Sequence, residues 1–305
     1  MSDVVLQVQE LVASRPTGWA RAAAFAELAK LRIVGLVAIV TAVGFCLGAS
    51  QAGLPVDGTL LFHTLLGAGL VGAAANTLNQ YLEQDYDALM KRTQDRPLPA
   101  GRLTGVEAVM FGATLAVLGT GYLAVQVNPL CSALAGITLL SYVLVYTPMK
   151  RRTPLCVYIG AVPGALPPLI GWSAGTGAID RNAWVLFAIL FLWQLPHFAA
   201  IAWQYREDYA RAGFPMLSVL DSDGQRTNMH VVTHTVALVA VTLLPLPAGL
   251  SGAAYAVGAM VLGSAFLASG VLFLSRKTTA WARFHVLASV VYLPLLLGLM
   301  MIDAK

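Results

Sequence analysis

Asn79, Glu83 and Asp87 stand four residues apart in the stretch from Asn76 to Gly101, at the end of a long apolar run. On a helix at about 100° per residue they form one stripe of oxygen-bearing groups, and Asn76 and Gln80 share its arc of roughly 100°. Asp85 points the other way. Three oxygen donors in a row, at the water end of a membrane helix, suit a hard divalent cation such as Mg²⁺. Lys91, Arg92, Arg96 and Arg102 come directly after and can donate to an anion. A cation site beside an anion site suits a metal–diphosphate complex. The competing reading is a solvated helix end with flanking topology charges.

A second constellation lies in WQLPHFAAIAWQYREDYARAGFPML. On one continuous helix Trp193, His197, Gln204 and Asp208 fall within an arc of about 60°. Ionisable groups inside a membrane helix are costly and mark cavities and sites. His197 is therefore a candidate haem ligand, acid/base group or substrate contact; a plain helix–helix hydrogen bond is the alternative. Pro196 loosens the helix beside it. Tyr205, Glu207 and Asp208 extend the group, and Glu207 and Asp208 are candidate ligands for a second cation. Asp221 and Asp223 read as loop solvation. Lys150, Arg151 and Arg152 close another apolar run, where they either set topology or reach the same diphosphate. His63, His230, His234 and His285 read as packing or interfacial residues.

These groups need a membrane scaffold to position them. The chain has 305 residues, 58% hydrophobic and 11% charged, with mean hydropathy +0.72. Apolar runs of about 20 residues recur, each long enough to cross a ~30 Å hydrocarbon core. The spans expected are about 32–50, 60–90, 105–125, 130–148, 155–173, 183–204, 230–248, 253–274 and 283–302. The fifth is rich in Gly and Pro and is expected to kink and pack closely. This is an all-α, polytopic membrane protein with nine transmembrane helices. Residues 1–30 form an N-terminal segment, in which Val4, Val5, Val8, Leu11 and Val12 suit a short interfacial helix. Residues 31–305 form a single transmembrane domain.

Seventeen of the 19 basic residues fall on one set of alternating loops, leaving only Arg181 and Lys305 on the other. The positive-inside rule places the N-terminus and the motif loops in the cytoplasm. That distribution explains the net charge of +4 without a nucleic-acid partner. Cys46, Cys131 and Cys156 have no metal-ligand spacing and read as packing residues.

The stripe Asn79-x₃-Glu83-x₃-Asp87 resembles the first acidic motif of the intramembrane aromatic prenyltransferase superfamily. The longer strings NQYLEQDYDALMKRTQDRPLPAG, YTPMKRRTP, GAVPGALPPLIGW, WQLPHF and YREDYARAGFPML are similar to the haem-farnesylating branch, over about 30–283. Glu83 stands where the superfamily usually has Asp. No DxxxD second motif is present; Gln204 and Asp208 hold one such pair of positions.

The resemblance implies nine helices around a central cavity in a bacterial inner membrane. It implies transfer of a farnesyl group from farnesyl diphosphate to a vinyl group of haem B, with hydration. Mg²⁺ on Asn79, Glu83 and Asp87 would act with Arg92, Arg96, Lys150 and Arg151 on the diphosphate. Haem B enters as substrate, and a haem A synthase or terminal oxidase assembly is an open partner. The alternatives are another prenyl acceptor, such as a quinone-precursor ring or a chlorophyllide, and a secondary transporter.

Overall fold

The computed structural model describes residues 17–305, so the Val4–Val12 segment lies outside it. Helix α1 (Gly18–Ala29) precedes α2 (Leu31–Gln51), α3 (Gly58–Asp87), α4 (Gly105–Gln126), α5 (Pro129–Met149), α6 (Cys156–Thr176) and α7 (Arg181–Gln204). Helices α8 (Arg206–Arg211), α9 (Gln225–Val241), α10 (Ala253–Arg276) and α11 (Thr279–Ile302) complete the chain. Among the described residues the only extended pairing is an isolated bridge between Ser251 and Ala304.

Eight of these helices are long and apolar enough to cross a membrane. The expected span at 230–248 is α9, which has 17 residues and gives way to turns that contain Pro245 and Pro247. The turns after α9 bring Gly249 to the end of α2. Gln51 at the end of α2 donates to the carbonyls of Gly249 and Lys305 at 3.0 and 2.9 Å. Asn182 at the start of α7 donates to Gln51 at 3.1 Å. The end opposite the motif loops is thus tied by side-chain amides.

The Gly- and Pro-rich sequence of α6 breaks at Leu166, where Pro167 and Pro168 supply no N–H. Its second half lies against α2 at backbone distance. A Cβ on Gly171 would collide with the Thr41 carbonyl, and one on Gly175 would meet the Phe45 carbonyl at 2.7 Å. Small residues facing each other are how membrane helices gain packing without a hydrophobic driving force. On the other side, Gln194 of α7 donates to the Ala161 carbonyl at 3.3 Å, beside the kink. Helix α7 packs on both halves of α6 and on α9 and α11, whereas α11 and α2 meet only sparsely.

Gly171→Leu is expected to destabilise the protein by at least the ~1–3 kcal/mol typical of overpacking, because the obstacle is backbone. Thermal unfolding in detergent measures this; Gly136→Ala, where the added Cβ meets open space, serves as the control.

Candidate active site

Helix α3 carries the stripe to the end of the bundle where α1, α5 and the 91–104 loop converge. Asn79, Glu83 and Asp87 are 2%, 3% and 1% exposed, so any of their polar atoms left without a partner carries a desolvation cost. Lys150 Nζ sits 2.7 and 3.0 Å from the two Glu83 oxygens. Arg96 donates to Asp87 Oδ2 at 2.6 Å, while Asp87 Oδ1 is buried with no partner among the described residues. Asn79 Nδ2 donates to Thr147 Oγ1 at 3.0 Å, and among the described residues no hydrogen bond to its amide oxygen is found. Asp85 is exposed.

The arc seen in sequence splits. Asn76 and Gln80 turn away and donate to the Ala29 and Leu28 carbonyls of α1 at 3.3 and 2.8 Å, capping that helix's C-terminus. The cap holds Lys30, a non-glycine residue at φ 51°, at the joint of α1 and α2. Burial and the nearby Arg96 pull the Lys30 ammonium down to about 7, with Glu83 and Asp87 opposing. In sequence Lys30 carried only a topology role, because α1 was not foreseen.

Lys150 owes its aim to a backbone irregularity. Helix α5 passes through a π-helical stretch at Ser141–Tyr146 before Pro148, whose missing N–H disrupts the regular ladder. Thr147 Oγ1 donates to the Tyr142 carbonyl at 2.9 Å. The Lys150 ammonium lies over the rings of Tyr146 and Phe214, 5.4 and 5.6 Å from their centroids. Arg151 donates to the Leu82 carbonyl and lies over the Tyr86 ring. It braces α3 from the outside of the stripe.

The second constellation does not stay on one helix. The backbone breaks at Tyr205 (φ −111°, ψ 25°), so Asp208 belongs to α8 and leaves the arc of His197. Asp208 Oδ1 accepts from Arg211 at 2.7 Å and from the Lys91 backbone N–H at 3.2 Å; Oδ2 accepts from the Arg92 N–H at 3.4 Å. The Arg92 guanidinium bonds Tyr209 and lies over the Tyr205 and Tyr209 rings. Gln204, Tyr205, Glu207 and Asp208 line a polar cleft of about 270 Å³ with Lys91 and Thr279. Glu207 is exposed there, and both Asp208 oxygens are engaged. Among the described residues no three His, Cys, Asp or Glu side chains gather as a metal site, so these two do not join the stripe in one cluster.

His197 faces α11. Its Nδ1 is 2.5 Å from Ser289 Oγ, and its ring stacks on Trp193 at 5.0 Å between centroids. Trp193 donates to the Ser289 carbonyl at 2.9 Å. Ser289 O–H already donates to the Val286 carbonyl at 2.6 Å. His197 Nδ1 must then be the donor, which leaves a lone pair on Nε2.

Partial burial works against ionisation of Asp208, but the Arg211 guanidinium and the two backbone N–H groups outweigh it and hold the carboxyl below its usual range. A depressed carboxyl stabilises the fold above its unfolded pKa, and that contribution is lost as pH falls through the lower folded value. The tie between α8 and the 91–92 backbone is therefore expected to persist to a pH below the ordinary Asp range. Hydrogen exchange at the Lys91 and Arg92 amides checks this. Asp208→Asn should speed their exchange at neutral pH, where the native chain protects them.

The UbiA prenyltransferase family's model matches residues 37–295. A protein of Solibacter usitatus named protoheme IX farnesyltransferase is 46% identical over 285 residues, covering 92% of this chain and 98% of its own length. One of the same name from Koribacter versatilis is 40% identical over 302 residues, covering 97% of each. Among solved structures, one described as a study of digeranylgeranylglyceryl phosphate synthase in membranes superposes with TM-score 0.76 at 18% identity, covering 93% of this chain and 98% of its own. A UbiA homolog from Archaeoglobus fulgidus bound to DMAPP and Mg²⁺ superposes with TM-score 0.59 at 14% identity, covering 90% and 98%. Fold, buried stripe and near full-length matches agree, and the chain belongs to the UbiA prenyltransferase family.

Proposed function

We propose that this enzyme transfers the farnesyl group of farnesyl diphosphate to a vinyl group of haem B, at a site built on Asn79, Glu83 and Asp87. The carrying observation is the set of buried carboxylates matched by Lys150 and Arg96, with Asp87 Oδ1 left unpaired. Asn79, Glu83 and Asp87 offer two carboxylates and an amide oxygen, a donor set that would suit Mg²⁺. The name shared by the relatives supports haem as acceptor. Mg²⁺ bound here would supply Lewis-acid stabilisation to the departing diphosphate.

The chain's own residues do the rest. As the allylic C–O bond breaks, the electron pair stays on the diphosphate. Lys150, Arg96, Arg92 and Lys30 stand ready to receive that charge. Lys150 and Arg96, paired with Glu83 and Asp87, are placed so that the same cationic groups could donate to phosphate oxygens. The vinyl π-electrons then attack farnesyl C1, and water adds to the other vinyl carbon with loss of a proton. An apolar bundle around the farnesyl tail keeps other water out. His197, its ring fixed by Ser289 and Trp193 and its lone pair on Nε2, contacts the haem either as an iron ligand or through a hydrogen bond. Asp208 and Glu207 act at the cytoplasmic mouth, where Asp208 fixes the loop that carries Arg92 and Arg96. Nine crossings with a cytoplasmic N-terminus in a bacterial inner membrane fit the 17-to-2 division of basic residues. A haem A synthase or oxidase assembly would receive the product.

Purified enzyme is expected to convert farnesyl diphosphate with haem B, and not with 4-hydroxybenzoate, in detergent without an ion gradient. The reverse preference would overturn the acceptor assignment, and no turnover of either would leave a transporter. Glu83→Ala and Asp87→Ala are expected to lower turnover by about 10²-fold or more, with Asp85→Ala within a few-fold of native. Equal losses at all three positions would sink the stripe.

His197→Ala is expected to weaken haem binding and alter the Soret band at near-normal farnesyl diphosphate affinity. His197→Gln should not restore the band. A variant that binds haem and turns over normally would remove His197 from the site.

A further inference from the structure

Away from this site, on the outer face where α6 and α9 flank α7, three polar rings meet. His230 and His234 lie one turn apart on α9, with ring centroids 3.9 Å from each other. His234 Nδ1 donates to the His230 carbonyl at 2.7 Å. Its Nε2 therefore carries the lone pair and accepts the Tyr158 O–H of α6 at 3.0 Å. The His230 ring makes no hydrogen bond among the described residues, and its Nδ1 is buried without a partner. All three residues are half-buried.

The face is exposed and flanked by apolar side chains, as on a helix that would meet lipid. Leu155, just before α6, and Val162 on α6 flank Tyr158 and are exposed, as is Val236 on α9. Polar groups at such a surface are expensive and mark function. A helix–helix clamp needs the Tyr158–His234 bond alone; it has no use for a second imidazole with unpaired nitrogens. Toward the motif end, Arg152 stands six residues before Tyr158 and Arg226 four before His230, both exposed. Metal-ligating rings in an apolar surround, below a basic rim, match one kind of ligand. It is flat, apolar and metal-centred, with acidic groups at one edge.

We propose that Tyr158, His230 and His234 form a peripheral docking site that receives ferric haem B from the lipid before it enters the active site. The inference rests on haem being the acceptor. Iron is held by the Tyr158 oxygen, an established haem ligand type. The Tyr158 O–H bond breaks, its proton passes to His234 Nε2, and the phenolate lone pair forms the O–Fe bond; no electron is transferred. His230, on the same side, would stand beside the bound phenolate rather than share the iron. The haem carboxylates pair with Arg152 and Arg226.

The test is ferric haem titration and steady-state kinetics on the full chain in nanodiscs, comparing native protein with Tyr158→Phe, His230→Ala and His234→Gln. Native protein is expected to show a tyrosinate-to-iron charge-transfer band that Tyr158→Phe abolishes. Tyr158→Phe should raise the KM for haem about fivefold or more, with kcat at saturating haem and the KM for farnesyl diphosphate unchanged. Because Tyr158→Phe removes one oxygen and keeps the ring, folding is preserved. An unchanged spectrum and KM would overturn the proposal. A lowered melting temperature with unchanged KM for haem would also overturn it, in favour of a clamp. So would Zn²⁺ binding at the cluster without haem binding there. Native protein that neither binds nor farnesylates haem would instead refute the acceptor assignment, whereas haem turnover insensitive to Tyr158→Phe refutes only the docking site.

Discussion

The pairing of Lys150 with Glu83 is the constraint on which the site depends. Glu83 is 3% exposed and projects from a membrane helix, where an unpaired carboxylate is not tolerated. Removing one partner of such a pair typically costs about 3–5 kcal/mol, although the pair itself adds little net stability. Arg96 plays the same part for Asp87. Each carboxylate is held with a cation that can be displaced, so each ion pair is neutral in the free site. A metal–diphosphate complex brings its own cation and anion and exchanges partners on both sides. The fold can therefore keep the stripe dry until substrate arrives.

Everything that aims Lys150 and Arg96 derives from that need. The π-helical stretch ahead of Pro148 sets the end of α5 so that Thr147 reaches Asn79 and Lys150 reaches Glu83. The Asp208 tie anchors the start of the loop that returns Arg96 to Asp87. Helix α1 closes the third side, secured by Asn76 and Gln80. Behind these groups, glycine faces on α2 and α6 let two backbones touch and hold the kinked helix still.

Residues alone reveal whatever depends on one unbroken helix. Asn79, Glu83 and Asp87 lie on such a helix, and Asp85 falls opposite, as the spacing requires. The spans were legible from apolar length, except that α9 ends early, ahead of Pro245 and Pro247. Asp208 shared an arc with His197 only while the helix continued, and Tyr205 ends it. Asn76 and Gln80 look the same as Asn79 in sequence; only the docking of α1 decides that they serve carbonyls. That helix is Ala-rich and only 12 residues long, too short to read as a span, so neither it nor the placement of Lys30 was foreseen. The direction of Lys150 was hidden for a similar reason, because a π-helical stretch rotates the residues beyond it about the helix axis.

The exchange of partners makes a thermodynamic demand. Mg²⁺ and diphosphate must each make the other bind more tightly, because either alone has to break an ion pair that the other would compensate. Calorimetric titration with a non-reactive farnesyl diphosphate analogue, with and without Mg²⁺, measures that coupling directly. The account predicts that Mg²⁺ raises analogue affinity at least tenfold in the native enzyme, and that in Lys150→Met Mg²⁺ alone binds more tightly while the coupling shrinks. Analogue affinity independent of Mg²⁺, or coupling undiminished in Lys150→Met, would contradict it.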